Sequence, residues 1–159
     1  MSILCIDPGP EASGVVVLRE DGVVIDAVPE WGNHSLVTTT DDFGTNKMVI
    51  EMIASYGMPV GADVFDTCVW IGRFIERFGA LTSYSIYRKD VKLHLCGNLR
   101  AKDANIRRAI LDMYPKTGGG KTPQIGTKKQ PGPLYGVTSH AMSALAVGLT
   151  HLGMTEVKV

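Results

Sequence analysis

Two carboxylates in this sequence stand where an apolar strand runs out. Asp7 closes the run Ile3-Leu-Cys-Ile6 and is followed by Pro8-Gly9. Such a run suits a strand buried on both faces, as at the centre of a mixed sheet, and the Pro-Gly pair ends it and turns the chain. A charge at that place is costly to desolvate unless something pairs with it. Val49-Ile50-Glu51 repeats the pattern later in the chain. If the two strands are parallel neighbours, Asp7 and Glu51 face each other across one strand spacing, ~5 Å. Carboxylates that close resist ionising together without a cation between them, and a hard divalent ion is the natural third party. Such ions hydrolyse phosphodiesters by activating water and stabilising the leaving oxygen, commonly as a pair ~3.5–4 Å apart.

The elements that must position these groups follow from the apolar pattern. After the turn at 8–13, Gly14 to Arg19 reads as a second strand, Asp21-Gly22 as a hairpin turn, and Val23 to Val28 as a third strand, giving an antiparallel meander. Residues 29–46 are polar and predict loop with one short helix. Lys47 to Met52 is the fourth strand, and 53–60, with Gly57 and Pro59, a loop just beyond it. The stretch 61–78 predicts a helix whose apolar positions (Val64, Phe65, Cys68, Val69, Ile71, Phe74, Ile75, Phe78) cover more than one stripe. Such a helix meets the core on one side and a second partner on the other, or is buried deep within the monomer. Leu81 to Tyr87 is the fifth strand. Val91 to Cys96 alternates and predicts a short strand or extended segment, and Ala101 to Tyr114 a basic helix. The stretch 115–136, rich in Gly, Pro and Lys, predicts a mobile loop, since so long a loop is usually functional or disordered. Ser139 to His151 is the last helix. Gly118-Gly-Gly-Lys-Thr122 looks like a phosphate-binding loop, but the motif needs a glycine where Pro115 stands and a strand before it.

Length and composition predict one domain, 1–159, with an ordinary globular core: 45% of residues are hydrophobic and 20% charged. Neither a signal peptide nor an apolar stretch of the ~18 residues that span a membrane is expected. Cys5, Cys68 and Cys96, odd in number and without metal spacing, read as reduced core residues of a cytosolic protein. Net charge is zero but unevenly spread. Residues 1–87 hold 12 acids and 4 bases, and residues 88–130 hold 11 bases and 3 acids. That asymmetry points to a polyanion-binding face beside an acidic one, or to a solvated surface on which the two sets cancel.

Ile6-Asp7-Pro8-Gly9 with Ser13-Gly14, then Val49-Ile50-Glu51, then Ser143 to His151 resemble the RuvC-type Holliday junction resolvases. The similarity is closest to the phage-encoded branch, through Glu51 to Pro59, Tyr87 to Gly97 and Ala101 to Ile106. It runs in order along nearly the whole chain. It implies an α/β, ribonuclease H-like fold with a five-stranded mixed sheet, order 3-2-1-4-5, flanked by helices. It further implies a Mg²⁺- or Mn²⁺-dependent endonuclease, with two ions per site, that cuts branched DNA such as four-way junctions (Y and flap structures included). The protein would be a homodimer in the cytoplasm of a bacterial host. Asp7-Pro-Gly with Ser13-Gly also suits actin-like and sugar-kinase-like phosphate binders, but those need two such domains.

By position in that resemblance, Asp7 and Glu51 match the first two metal-binding carboxylates. His140 falls where members carry an acid or a histidine, and Ser143 where many carry a final aspartate. Residues 113–155 contain no Asp or Glu, so the last helix brings no carboxylate to the metals. His140 is then a metal ligand or the group that orients or deprotonates the attacking water, and Ser143, one turn on, a hydroxyl ligand or a water holder. Lys92 and Lys102 match family lysines near the scissile phosphate, where a cation neutralises phosphate and transition-state charge. Arg100, Arg107 and Arg108 are expected to contact the backbone, and Lys121, Lys128 and Lys129 to close over bound DNA. Tyr56 and Met58 are candidate wedges at an opened junction. Without the final aspartate, a junction-binding architectural protein with weak or no nuclease activity is the competing expectation.

Overall fold

A computed structural model of the chain describes residues 1–158. Strands β1 (Ser2–Asp7), β2 (Ala12–Arg19) and β3 (Val24–Gly32) form the antiparallel meander. β4 (Lys47–Met52) lies parallel to β1, and β5 (Ser83–Tyr87) parallel to β4, completing the order β3-β2-β1-β4-β5. This is the sheet the sequence predicts. β3 runs to Gly32, longer than the expected strand, and leads directly into α1 (Asn33–Thr39).

The unbroken apolar run of β1 is explained by its two faces. Ile3 and Cys5 join Val16, Leu18 and Val49 beneath the C-terminal helices, whereas Leu4 and Ile6 join Val15, Val17, Met48 and Ile50 beneath α1 and α2 (Ala62–Phe78). Period-two alternation thus feeds a core on each side of the sheet. It also sets parity: Asp7 follows Cys5, and Glu51 follows Val49, on the face covered by α5 (Ser139–Leu152).

α5 crosses this face close to the strands because its residues are small. A Cβ on Gly148 would fall 2.4 Å from Cys5 Sγ and 2.8 Å from Leu18 Cδ2. α2 buries Thr67, Trp70, Ile71 and Phe74 on one side, while Phe65 and Val69 remain 62% and 61% exposed. The expectation of a helix buried deep in the monomer is therefore overturned, and Cys68, on the outer side, is an exposed cysteine and not a core residue.

Val91 to Cys96 is a second correction. It belongs to a helix, α3 (Arg88–Cys96), that turns Val91 and Leu95 toward the core and leaves Leu93 half exposed. A three-point apolar alternation over so short a run fits either period, and the helix is closed by Gly97 at φ 63, whose N–H donates to Leu93 O. α4 (Asp103–Met113) follows after a short turn.

Residues 115–136, expected to be mobile, hold neither helix nor strand, yet the stretch is tied to itself and to the core. Gly118 N–H donates to Pro123 O at 2.8 Å, Gly119 N–H to Gln130 O at 2.8 Å, and Gly132 N–H to Ile125 O at 2.9 Å. Gln124 is buried and its Nε2 donates to Leu111 O at the end of α4. Among the described residues no helix is long and apolar enough to cross a membrane.

Candidate active site

Asp7 and Glu51 come abreast because β1 and β4 are in register. Ile6 pairs with Ile50 in the parallel ladder, and the next residue on each strand is the carboxylate. Both side chains are 16% exposed at the floor of a cleft of about 740 Å³. Arg88, Asp103, His140 and Ser143 also line it, with Asp63 and Thr67 of α2 opposite.

His140 reaches Asp7 through a close approach of backbone. Asp7 pairs with Gly14 across the β1–β2 ladder, and a Cβ on Gly14 would fall 2.3 Å from His140 O and 2.6 Å from His140 Cβ. Only glycine lets the first turn of α5 rest on the strand here. The chain enters that turn through Ser139 in the left-handed region, φ 47, a conformation that costs a non-glycine residue ~1–2 kcal/mol. The outcome is a hydrogen bond from His140 Nδ1–H to Asp7 Oδ2 at 2.9 Å. With Nδ1 committed as donor, Nε2 is the imidazole's free nitrogen.

The loop after Asp7 is fixed from α1. Ser13 Oγ–H donates to Asn33 Oδ1 at 2.6 Å, Asn33 Nδ2 donates to Gly9 O at 2.8 Å, and Gly9 N–H donates to Ser13 Oγ at 3.3 Å. This buried polar clamp is satisfied within itself and holds the Pro8–Ala12 wall of the cleft in one shape.

Glu51 is the strained member. Its Oε2 is buried with no hydrogen-bond partner, and the nearest cation is Arg88, Nη1 lying 3.7 Å away. Burial first, and then the Asp7 charge, push its carboxyl up to about 7, against the opposing pull of Arg88 and Lys92. Burial also raises the Asp7 carboxyl, although the His140 hydrogen bond works against it. The pair is thus short of positive charge. Among the described residues, no three His, Cys, Asp or Glu side chains converge closely enough to hold an ion.

The other expected site residues divide by place. Ser143 lies in the cleft, one turn beyond His140. Lys92, on α3, is near enough for its charge to act on Glu51. Lys102 is exposed at the residue preceding α4, its N–H donating to Asn105 Oδ1, and does not line the cleft. Arg107 lines an adjoining cleft of about 390 Å³ that shares Arg88, Asp103, His140 and Ser143 with the first. Arg108 faces Asp112 at 3.3 Å in an exposed pair along α4. Arg100, Lys121, Lys128 and Lys129 are exposed and line neither cleft. Tyr56 and Met58 stand out at 62% and 71% exposure on the turn beyond β4, at the carboxylate end of the sheet.

Sequence reasoning missed Arg88 and Asp103. Arg88 had a signal: the residue after β5 must emerge beside the end of β4, because Glu51 pairs with Ile86 and Met52 with Tyr87. Asp103 had none, since an acid in the first turn of a helix is ordinary complement to the helix dipole.

The solved structures place this arrangement in a known architecture. Thermus thermophilus RuvC superposes with a TM-score of 0.63 at 19% identity, covering 96% of this chain and 94% of that one. T. thermophilus RuvC in complex with Holliday junction substrate gives 0.64 at 18% identity, over 95% and 92%. At such identity the likeness establishes the fold, which is the ribonuclease H-like fold of RuvC. No family model and no curated protein sequence matches the chain.

Proposed function

We propose that this chain is a divalent-metal-dependent endonuclease of the RuvC type, in its phage-encoded branch, that hydrolyses phosphodiester bonds of branched DNA inside a bacterial host. The observation that carries this reading is Glu51: a buried carboxylate oxygen without a donor, abreast of a second carboxylate, on the strand edge where this fold exposes its cleft. Such a pair calls for a cation, and oxygen donors favour Mg²⁺ or Mn²⁺. Asp7 and Glu51 would hold the ions, with Ser143 Oγ, which lines the same cleft, as a further donor. When bound, a pair of such ions acidifies water and neutralises charge on the attacked phosphate.

The chain's own residues supply the rest. Asp7 keeps His140 in the tautomer that leaves Nε2 unprotonated, which suits it to accept a proton from the attacking water. The Ser13–Asn33 clamp holds the cleft wall rigid, so the carboxylates need not reorganise on binding. Lys92 adds positive charge beside Glu51, and Arg107, with Arg100 and Lys102 beyond the cleft, offers backbone phosphates a basic flank. The loop lysines Lys121, Lys128 and Lys129 would close over bound DNA, and the exposed Tyr56 and Met58 would wedge at an opened junction. The exposed apolar stripe of α2, with Phe65, Cys68 and Val69, is the proposed homodimer seam that lets two sites address two strands.

The test is cleavage of a labelled four-way junction against matched linear duplex, in Mg²⁺, in Mn²⁺ and in EDTA. Paired cuts on the junction only, dependent on the ion, are expected, with Asp7→Asn losing cleavage and keeping junction binding. Tight junction binding without cuts in either ion would replace this reading with a DNA-architecture protein, which the absence of an acid on α5 favours.

A further inference from the structure

Arg88 is the cleft cation that the mechanism above leaves unused. It is the first residue of α3 and follows Tyr87, the partner of Met52, so its side chain emerges at the sheet edge that carries Glu51. Nη1 lies 3.7 Å from Glu51 Oε2, while Nη2 is hydrogen-bonded to Asp103 Oδ1 on α4. Two features separate the Glu51 contact from an ordinary structural ion pair. It is a contact of charges without a hydrogen bond, since no donor reaches Glu51 Oε2. Its two ends also differ: Glu51 is 16% exposed, whereas Asp103 is 88% exposed. Arg88 is therefore hydrogen-bonded from the solvent side and leans on Glu51 without satisfying it. It lines both the carboxylate cleft and the adjoining one.

We propose that Arg88 is a resident counter-cation, which occupies the positive place beside Glu51 until a divalent ion and a DNA phosphate arrive, and then passes from Glu51 to the phosphate with Asp103 as its tether. The inference rests on the nuclease reading above and assigns roles to two residues that reading does not use. A guanidinium beside Glu51 repels an incoming ion, so the DNA-free protein binds it weakly. A phosphate offers the planar fork of arginine better, bidentate partners than a lone carboxylate oxygen 3.7 Å away. Once Arg88 turns to the phosphate, the repulsion at Glu51 is gone, and ion and DNA each tighten binding of the other. Arg88 then touches substrate, and Asp103 is a positioning residue that acts through it.

The experiment is Mn²⁺ binding to the full chain, read from the electron paramagnetic resonance of free Mn²⁺, with and without a phosphorothioate-blocked four-way junction. Arg88→Gln is measured beside Arg88→Met, which keeps the apolar stem in place should the glutamine variant not fold. Without DNA, the neutral variants are expected to bind Mn²⁺ about tenfold more tightly than wild type, because a like charge has been removed. With the junction, wild type is expected to gain affinity for Mn²⁺ and the variants to gain much less. A purely structural Arg88 would loosen Glu51 on removal and weaken Mn²⁺ binding, so equal or weaker binding by the folded variants overturns the inference. Wild type that cuts junctions in Mn²⁺ while the variants fail to tighten loses the Arg88 role alone. Wild type that neither binds Mn²⁺ nor cuts loses the nuclease reading and this inference together.

Discussion

Replacing Glu51 by glutamine should stabilise the ion-free protein at alkaline pH. The wild-type carboxyl is pushed up to about 7 from an ordinary 4.5, a difference that corresponds to about 3 kcal/mol against the charged form. Between those values the folded state binds more protons than the unfolded chain, so stability falls as pH rises through the window and the full cost is present above 7. Glutamine removes the charge but brings an amide to satisfy and leaves Arg88 with Asp103 alone, so a net gain of about 1–2 kcal/mol at pH 8 is expected. For a chain of this size that is a rise of roughly 2–8 °C in Tm. Calorimetric melts in EDTA at pH 8 and pH 5 would measure it, and the gain should fade at the lower pH, where Glu51 is mostly protonated. Adding Mg²⁺ or Mn²⁺ at pH 8 should raise the Tm of wild type more than that of the variant, because ligand binding to the folded state adds stability. A variant equally destabilised at both pH values would refute the reasoning and make Glu51 a structural partner of Arg88.

Gly14→Ala places a methyl 2.3 Å from His140 O, so α5 must move off the strand. Denaturant titration should show a loss of about 1–3 kcal/mol, and junction cleavage should fall further than junction binding. Phe65→Glu with Val69→Glu should turn a dimer at micromolar concentration into a monomer in sedimentation. The variant's Tm should be independent of protein concentration while that of the wild type rises with it, since both side chains are exposed within one chain and covered only in the dimer; wild type already monomeric at that concentration would remove the proposed seam.

Much of the architecture was legible because two signals agreed. The apolar runs before Asp7 and Glu51 mark buried strands, and the acids that end them mark one edge of the sheet. The turn at Asp21-Gly22 fixes the meander, leaving β1 and β4 as neighbours. What was not legible arises between elements. Val91, Leu93 and Leu95 suit a strand on paper, but the helix is chosen by the burial of Val91 and Leu95, a tertiary fact, and is closed locally by the left-handed Gly97. Arg88 and Asp103 meet only because α3 and α4 begin at the same end of the molecule, fifteen residues apart in sequence. The stretch 115–136 has no periodicity to read, since its order comes from glycine-permitted backbone contacts and from Gln124 bonding the end of α4. Composition alone could not say that Arg108 would face Asp112 while Arg107 lines the adjoining cleft.

The seat of α5 on Gly14 separates where a group is held from what that group is. Asp7 and Gly14 are rungs of one ladder, and the helix rests on the second rung by main-chain contact. The side chain at position 140 is thus delivered to Asp7 by backbone alone, whatever its chemistry. The contacts that seat residue 140 on Gly14 are made by its main chain and Cβ, and the imidazole beyond them makes the hydrogen bond to Asp7. The seat and the functional group are therefore separate features of the same residue: Gly14 fixes the first, and the side chain at 140 alone sets the second.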